Sequence, residues 1–172
     1  MSLGPSRDLG PCIIEWGTTD LGAYWEEVRF KFETGFADVF EAVMGNMPVD
    51  SVFTGASNVE VTVPFTRITL ANLASIIPGG SASGSSGVVV YDNQVGLSMY
   101  SLAKPLFIKP TTNGVAAVNG CWLKIEKTYP IPNYDLAYNL KDQRVYPTTF
   151  KCFPDATTKK VWSIGKVNTT TT

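Results

Sequence analysis

Two unusually long alternating runs constrain this chain more than any other feature. From Tyr24 to Phe40, Val28, Phe30 and Phe32 alternate with Glu27, Arg29, Lys31 and Glu33. Period 2 puts one set on each face of a strand, one face packed and one wet. Gly35 interrupts the run and marks a bulge or bend. Met44-Gly45-Asn46-Met47-Pro48 reads as a turn. The chain then returns through Val52 and Phe53 to Val59, Val61, Val63 and Phe65, which alternate with Glu60, Thr62 and Pro64. Pro64 has no amide to donate, so it belongs at an edge or a bulge. A hairpin of such strands reaches roughly 33 Å, more than a compact domain of this size needs for its own core.

The rest of the chain supplies shorter elements. Cys12–Trp16 reads as a first strand, ended by Gly17 to Gly22. Thr69 can cap a short helix whose Leu70, Leu73, Ile76 and Ile77 share a face, and Pro78-Gly79-Gly80 stops it. The Gly/Ser stretch from Gly79 to Gly87 reads as an exposed loop or arm. Strand patterns follow at Val88–Tyr91, Leu106–Lys109, Cys121–Thr128, Tyr146–Phe153 and Val161–Ile164, with turns at Thr111–Gly114 and Pro154–Thr157. No repeat is visible and no second domain is required. The expected fold is one mainly β domain over residues 1–172, a β-sandwich or barrel with a long hairpin and one short α-helix. Residues 1–10 form an N-terminal arm and residues 166–172 a Thr-rich tail.

Composition bears on what surrounds such a domain. Charged residues make up 17%, below the roughly 25% of an ordinary soluble domain. With 12% aromatics, this points to apolar surface covered by neighbours. The net charge of −1 hides an asymmetry: residues 1–60 hold ten acids and three bases, residues 61–172 five acids and eleven bases. The two parts can meet within one fold, or the acidic part of one copy can pair with the basic part of another. No apolar run approaches the roughly 20 residues of a membrane span, and Met1–Pro11 lacks the layout of a signal peptide. Cys12, Cys121 and Cys152 are read as free thiols in a reducing compartment.

The residues argue against catalysis. Histidine is absent, which removes the commonest general base and the commonest zinc ligand. Glu26 and Glu27 are adjacent, and adjacent strand residues face opposite ways, so they cannot flank one bond. Three scattered cysteines make a poor metal set, and no calcium loop or phosphate cradle is present. The expectation is no enzyme, no cofactor and no metal. Lys104, Lys109, Lys124, Lys127, Lys141, Arg144 and Lys151 interleave with Phe107, Trp122, Tyr129, Tyr138 and Phe150, which could suit a single strand of nucleic acid or merely a wet sheet face. Trp16, Trp25, Trp122 and Trp162 could form a glycan platform, although burial is the default for strand tryptophans.

Several segments resemble the tail tube proteins of tailed bacteriophages. They are Gly10-Pro11-Cys12-Ile13-Ile14-Glu15-Trp16-Gly17 with the long strand after it, and Pro48-Val49-Asp50-Ser51-Val52-Phe53-Thr54-Gly55 with Val59–Pro64. The helix Thr69–Ala74 with Ile77-Pro78-Gly79, Phe153-Pro154-Asp155-Ala156 and Trp162-Ser163-Ile164-Gly165 fit the same pattern. The likeness runs from Gly10 to Gly165 and rests on strands and turns, with no catalytic signature. It implies a subunit that forms rings, commonly hexameric, stacked into a tube that conducts DNA without reading its sequence. It also implies contacts to other copies and to tail proteins such as tape measure, terminator and baseplate. The site would be the virion, after synthesis in the host bacterial cytoplasm. Another virion ring protein (neck, terminator or baseplate) and a β-sandwich ligand-binding module are the alternatives.

Under that resemblance the long hairpin pairs with sister subunits through Val28, Phe30, Phe32, Val59, Val61 and Val63. Glu27, Glu33, Asp38 and Glu60 are the candidate lumen-facing carboxylates, repelling phosphate so that DNA slides. Ordinary solvated acids on a wet face are the plainer reading of the same four.

Overall fold

A computed structural model describes residues 11–84, 86–91, 95–112, 115–116, 122–134 and 144–165. The arm at 1–10, the tail at 166–172, Cys121, Tyr138 and Lys141 lie outside the described residues. In chain order the strands are β1 (Cys12–Trp16), β2 (Thr19–Asp20), β3 (Ala23–Tyr24), β4 (Arg29–Val39) and β5 (Asp50–Arg67). After helix α1 (Leu70–Ile76) come β6 (Gly80–Ser83), β7 (Gly87–Val90) and the single turn α2 (Met99–Leu102). Then follow β8 (Lys104–Thr112), β9 (Val115–Ala116), β10 (Trp122–Pro132), β11 (Tyr146–Phe153) and β12 (Trp162–Gly165). The protein is mainly β with one short helix, as its periodicity requires.

Ten strands form one antiparallel sheet whose main path runs β2-β1-β8-β10-β11-β5-β3, with β4 on β5, β12 on β10 and β9 on β8. Among the described residues this path ends at β2 and β3, and it curls. Residues from distant strands therefore meet in one core: Ile14 and Trp16 of β1, Val61, Val63 and Phe65 of β5, Leu106 of β8, Ile125 of β10, Phe150 of β11, and Leu21 and Ile76. Each strand contributes alternate residues, the signature of a half-buried sheet. Trp16 Nε1 donates to Thr128 O at 3.2 Å, which satisfies its polar edge inside the core.

Thr69 caps α1 as its position implies, its hydroxyl accepting from Asn72 N at 3.2 Å. Burial falls on Ala74 and Ile76, while Leu70 at the first turn is exposed. The Gly79–Gly87 stretch, expected to be an exposed loop or arm, is exposed over most of its described residues but is paired and not an irregular loop. It forms most of the β6–β7 hairpin, in register from Gly80↔Val90 to Ser83↔Gly87. Small residues suit it because the hairpin lies against α1. A Cβ at Gly80 would sit 2.5 Å from Ala74 O.

Gly22 is a second position that only glycine fits. Its φ is +107°, and a Cβ would overlap the Arg67 carbonyl oxygen. Gly22→Ala should therefore cost at least about 1–3 kcal/mol of stability, read as a lower midpoint in urea; an unchanged midpoint would contradict this packing.

The thiols of Cys12 and Cys152 are free. Burial pushes the Cys152 thiol up to about 12 from 9.0, and the Glu60 carboxylate adds to the shift. Burial, and then the hydrogen bond with Cys12, pushes the Tyr24 phenol up to about 12 from 10.0. Both groups hold protons in the native state that the unfolded chain releases earlier. Stability is therefore intact below the unfolded values and declines as pH rises through the window between about 9 and about 12. The urea midpoint should fall between about pH 8 and about pH 11; a flat profile over that span would rule this out.

Candidate functional site

The feature that stands apart from the core is the ribbon made by β4 and β5. β11 pairs with β5 only from Glu60 to Phe65, and β3 pairs only at Phe65 and Arg67. From Asp50 to Val59 the sole partner of β5 among the described residues is β4. That stretch projects roughly 30 Å at the rise of a β-strand. A single 3₁₀ turn at Ala42–Met44 and the bond from Val49 N to Val39 O close its tip.

Two irregularities bend the ribbon. The register passes from Glu33↔Asn58 to Thr34↔Ala56, and from Gly35↔Gly55 to Phe36↔Phe53, leaving one extra residue on β5 each time. These are β-bulges, the devices that bend a strand and raise its twist. The sequence marks the second with Gly35, and Gly55 opposite it has φ +110°. Pro64 sits at a third irregularity, opposite residues 25–28, where β3 ends before β4 begins. Trp25 N donates to Pro64 O at 2.8 Å. The 25–28 break also means that Glu26 and Glu27 do not lie in a strand, and Glu26 adopts φ 66°.

The structure divides the apolar row expected to meet sister subunits. Val59, Val61 and Val63 are buried in the protomer's own core, and Val28 and Phe30 pack against that core. Phe30 and Phe32 pack edge-to-face with Trp162, ring centroids 5.4 and 5.5 Å apart. Much of this half of the hairpin is completed by its own chain, through β11 pairing along β5 and Trp162 of β12 packing on Phe30 and Phe32. Val28, Phe30, Val61 and Val63 are therefore not the surface left for another copy, whereas Phe32, 39% exposed, and Val59 line a groove beside the ribbon. Beyond the bulges the ribbon's apolar residues are uncovered. Phe36 and Phe53 face each other in register yet are 69% and 65% exposed, and Phe40, Val43, Met44, Met47 and Val52 are exposed too.

The four acids proposed for a lining are not gathered on one face. Asp38 lies opposite Ser51, whose hydroxyl it accepts at 2.5 Å. By alternation along β4 it shares the face of Phe36, while Glu33 is on the reverse face with Lys31 and Glu60. Glu27 pairs with Arg29, and Glu33 with Lys31 at 2.8 Å. That pairing holds the Glu33 carboxyl below its ordinary range and the Lys31 ammonium above. Glu60 lies between Lys31 and Lys151 in register. The base of the ribbon is thus charge-balanced, and the acidic excess sits at the tip: residues 37–58 carry Asp38, Glu41 and Asp50 and no base.

Beside the ribbon is a groove of ≈ 490 Å³. Phe32, Phe53, Ala56 and Val59 form the ribbon wall; Cys152, Pro154, Val161 and Trp162 form the opposite one, with Lys151 and Lys159 as the charged lining. Sequence reasoning missed it because its two walls are about 100 residues apart. Asp155 shapes the loop above it by accepting from Thr157 N, Thr158 N and Thr158 Oγ1. These bonds lower the Asp155 pKa, that from Thr158 N first.

Several basic and aromatic residues of the second half are engaged with their own chain. Lys109 bonds Glu15 and lies over Trp122 at 4.7 Å, Lys124 pairs with Glu126 at 2.8 Å, and Lys104 lies over Trp16 at 4.6 Å. Phe150 is fully buried. Among the described residues no three His, Cys, Asp or Glu side chains group as metal ligands. No helix among them is long and apolar enough to cross a membrane. No family model and no curated protein matches the chain.

Proposed function

We propose that this chain is a structural subunit that assembles with copies of itself into stacked rings, forming a tail tube of the phage type through which DNA passes. The observation that carries the reading is the outer ribbon. Among the described residues, the outer edge of β5 over Asp50–Val59 has no strand partner, nor does the outer edge of β4 along its length. Paired aromatic and aliphatic side chains stand in solvent beside those edges. An edge of this length on an isolated domain invites uncontrolled pairing, and closing it against sister subunits removes the hazard. The likeness of Gly10–Gly17, Pro48–Gly55, Val59–Pro64, Phe153–Ala156 and Trp162–Gly165 to tail tube proteins points the same way. The working site is then the virion tail, with tape measure, terminator and baseplate proteins as neighbours.

The test is light scattering of the purified protein on a sizing column, with negative-stain images of the peak. Rings or tubes are expected. A strict monomer at every concentration would overturn the proposal and favour a ligand-binding module. Rings that never stack would identify a terminator or neck part instead.

A further inference from the structure

We propose that the tip of the ribbon, residues 39–49, docks in the groove beside Trp162 of another copy, making a head-to-tail contact. The inference rests on the self-assembly reading above and names the two surfaces that meet.

The surfaces match in chemistry. The tip offers Phe40, Val43, Met44 and Met47, all exposed, with Val43 at 93%. Met and Phe are the side chains that best fill an irregular apolar slot. The groove offers Phe53, Val59, Val161 and Trp162 as walls and, at ≈ 490 Å³, has room for a few such side chains. Charge matches as well. Glu41 is the charge within the tip and Asp38 and Asp50 flank it, all acidic, whereas the charged groove residues are Lys151 and Lys159. Lys159 is held at φ 58° in the loop that Asp155 organises, its amide donating to Asp155 O at 2.9 Å.

The tip cannot fill the groove of its own chain. Phe53, Gly55 and Ala56 form one groove wall, and the ladder continues outward from Phe36↔Phe53 to Val39↔Asp50. A continuous ladder carries the tip away from that wall, so the occupant is a second copy. Because tip and groove are different surfaces, the contact is heterologous, the kind that generates rings or open stacks rather than closed pairs.

The experiment joins a charge swap to a cross-link. Glu41→Lys and Lys159→Glu, both at exposed positions, should each weaken assembly about tenfold, because an ion pair becomes a like-charge contact. The double variant should recover most of that loss. A benzoylphenylalanine photo-cross-linker at Met44 should link to residues 151–162 of another copy, identified by mass spectrometry. If wild-type protein assembles but the cross-links join tip to tip, or the double variant is as weak as the singles, this docking is wrong while the assembly reading survives. If wild-type protein never assembles, both fall together.

Discussion

Phe36→Asp with Phe53→Asp should give a folded protomer that forms neither rings nor tubes. Both rings are more than three-fifths exposed and sit beyond the second bulge, where only β4 and β5 are paired. In the protomer their replacement removes little packing, so the melting temperature should move by only a few degrees. In an assembly the same rings would be covered. Burying an aromatic side chain contributes about 1.5–3 kcal/mol, and placing a carboxylate there adds an unpaired buried charge. Two such sites per subunit weaken association by about a thousandfold or more. Images and scattering profiles indistinguishable from wild type would remove the ribbon from the assembly surface.

Phe65→Ala, on the same strand, should do the reverse and destabilise the protomer itself. Phe65 is fully buried among Ile14, Leu21, Val63 and the rest of the core. Removing a buried phenyl ring costs about 3–5 kcal/mol, against a total stability of about 5–15 kcal/mol for an ordinary domain. For a chain of this size that lowers the melting temperature by roughly 6–20 °C. Phe53→Ala, twelve residues earlier, should stay within about 0.5 kcal/mol of wild type. A similar loss at both positions would mean that the outer ribbon folds back onto the body.

The contrast between these two phenylalanines shows which parts of the molecule can be read from its residues. The strand at Cys12–Trp16, the strand character of β4, β5, β10 and β11, and the Thr69 cap follow from local rules: period 2 for strands, and a hydroxyl before a helix. The loop reading of Gly79–Gly87 failed because a Gly/Ser run carries no periodicity, and its pairing comes from contact with α1. The acid set failed at Asp38. Alternation along β4 already separates it from Glu33, and counting through the interrupted run as one wet face hid that separation. The groove could not be found from local pattern because β5 and the 152–162 segment meet only through strand order.

By itself the sequence determined that this chain makes long two-faced strands, and that one hairpin outgrows an ordinary core. Alternation is a property of the backbone's own geometry and needs no partner to be read. Only the tertiary structure decided where along that hairpin the protomer's interior stops. The limit is set by the curl of the sheet and the reach of β11 and β12, which bring side chains about 100 residues apart into contact over Val59–Phe65 and leave Phe36 and Phe53 bare.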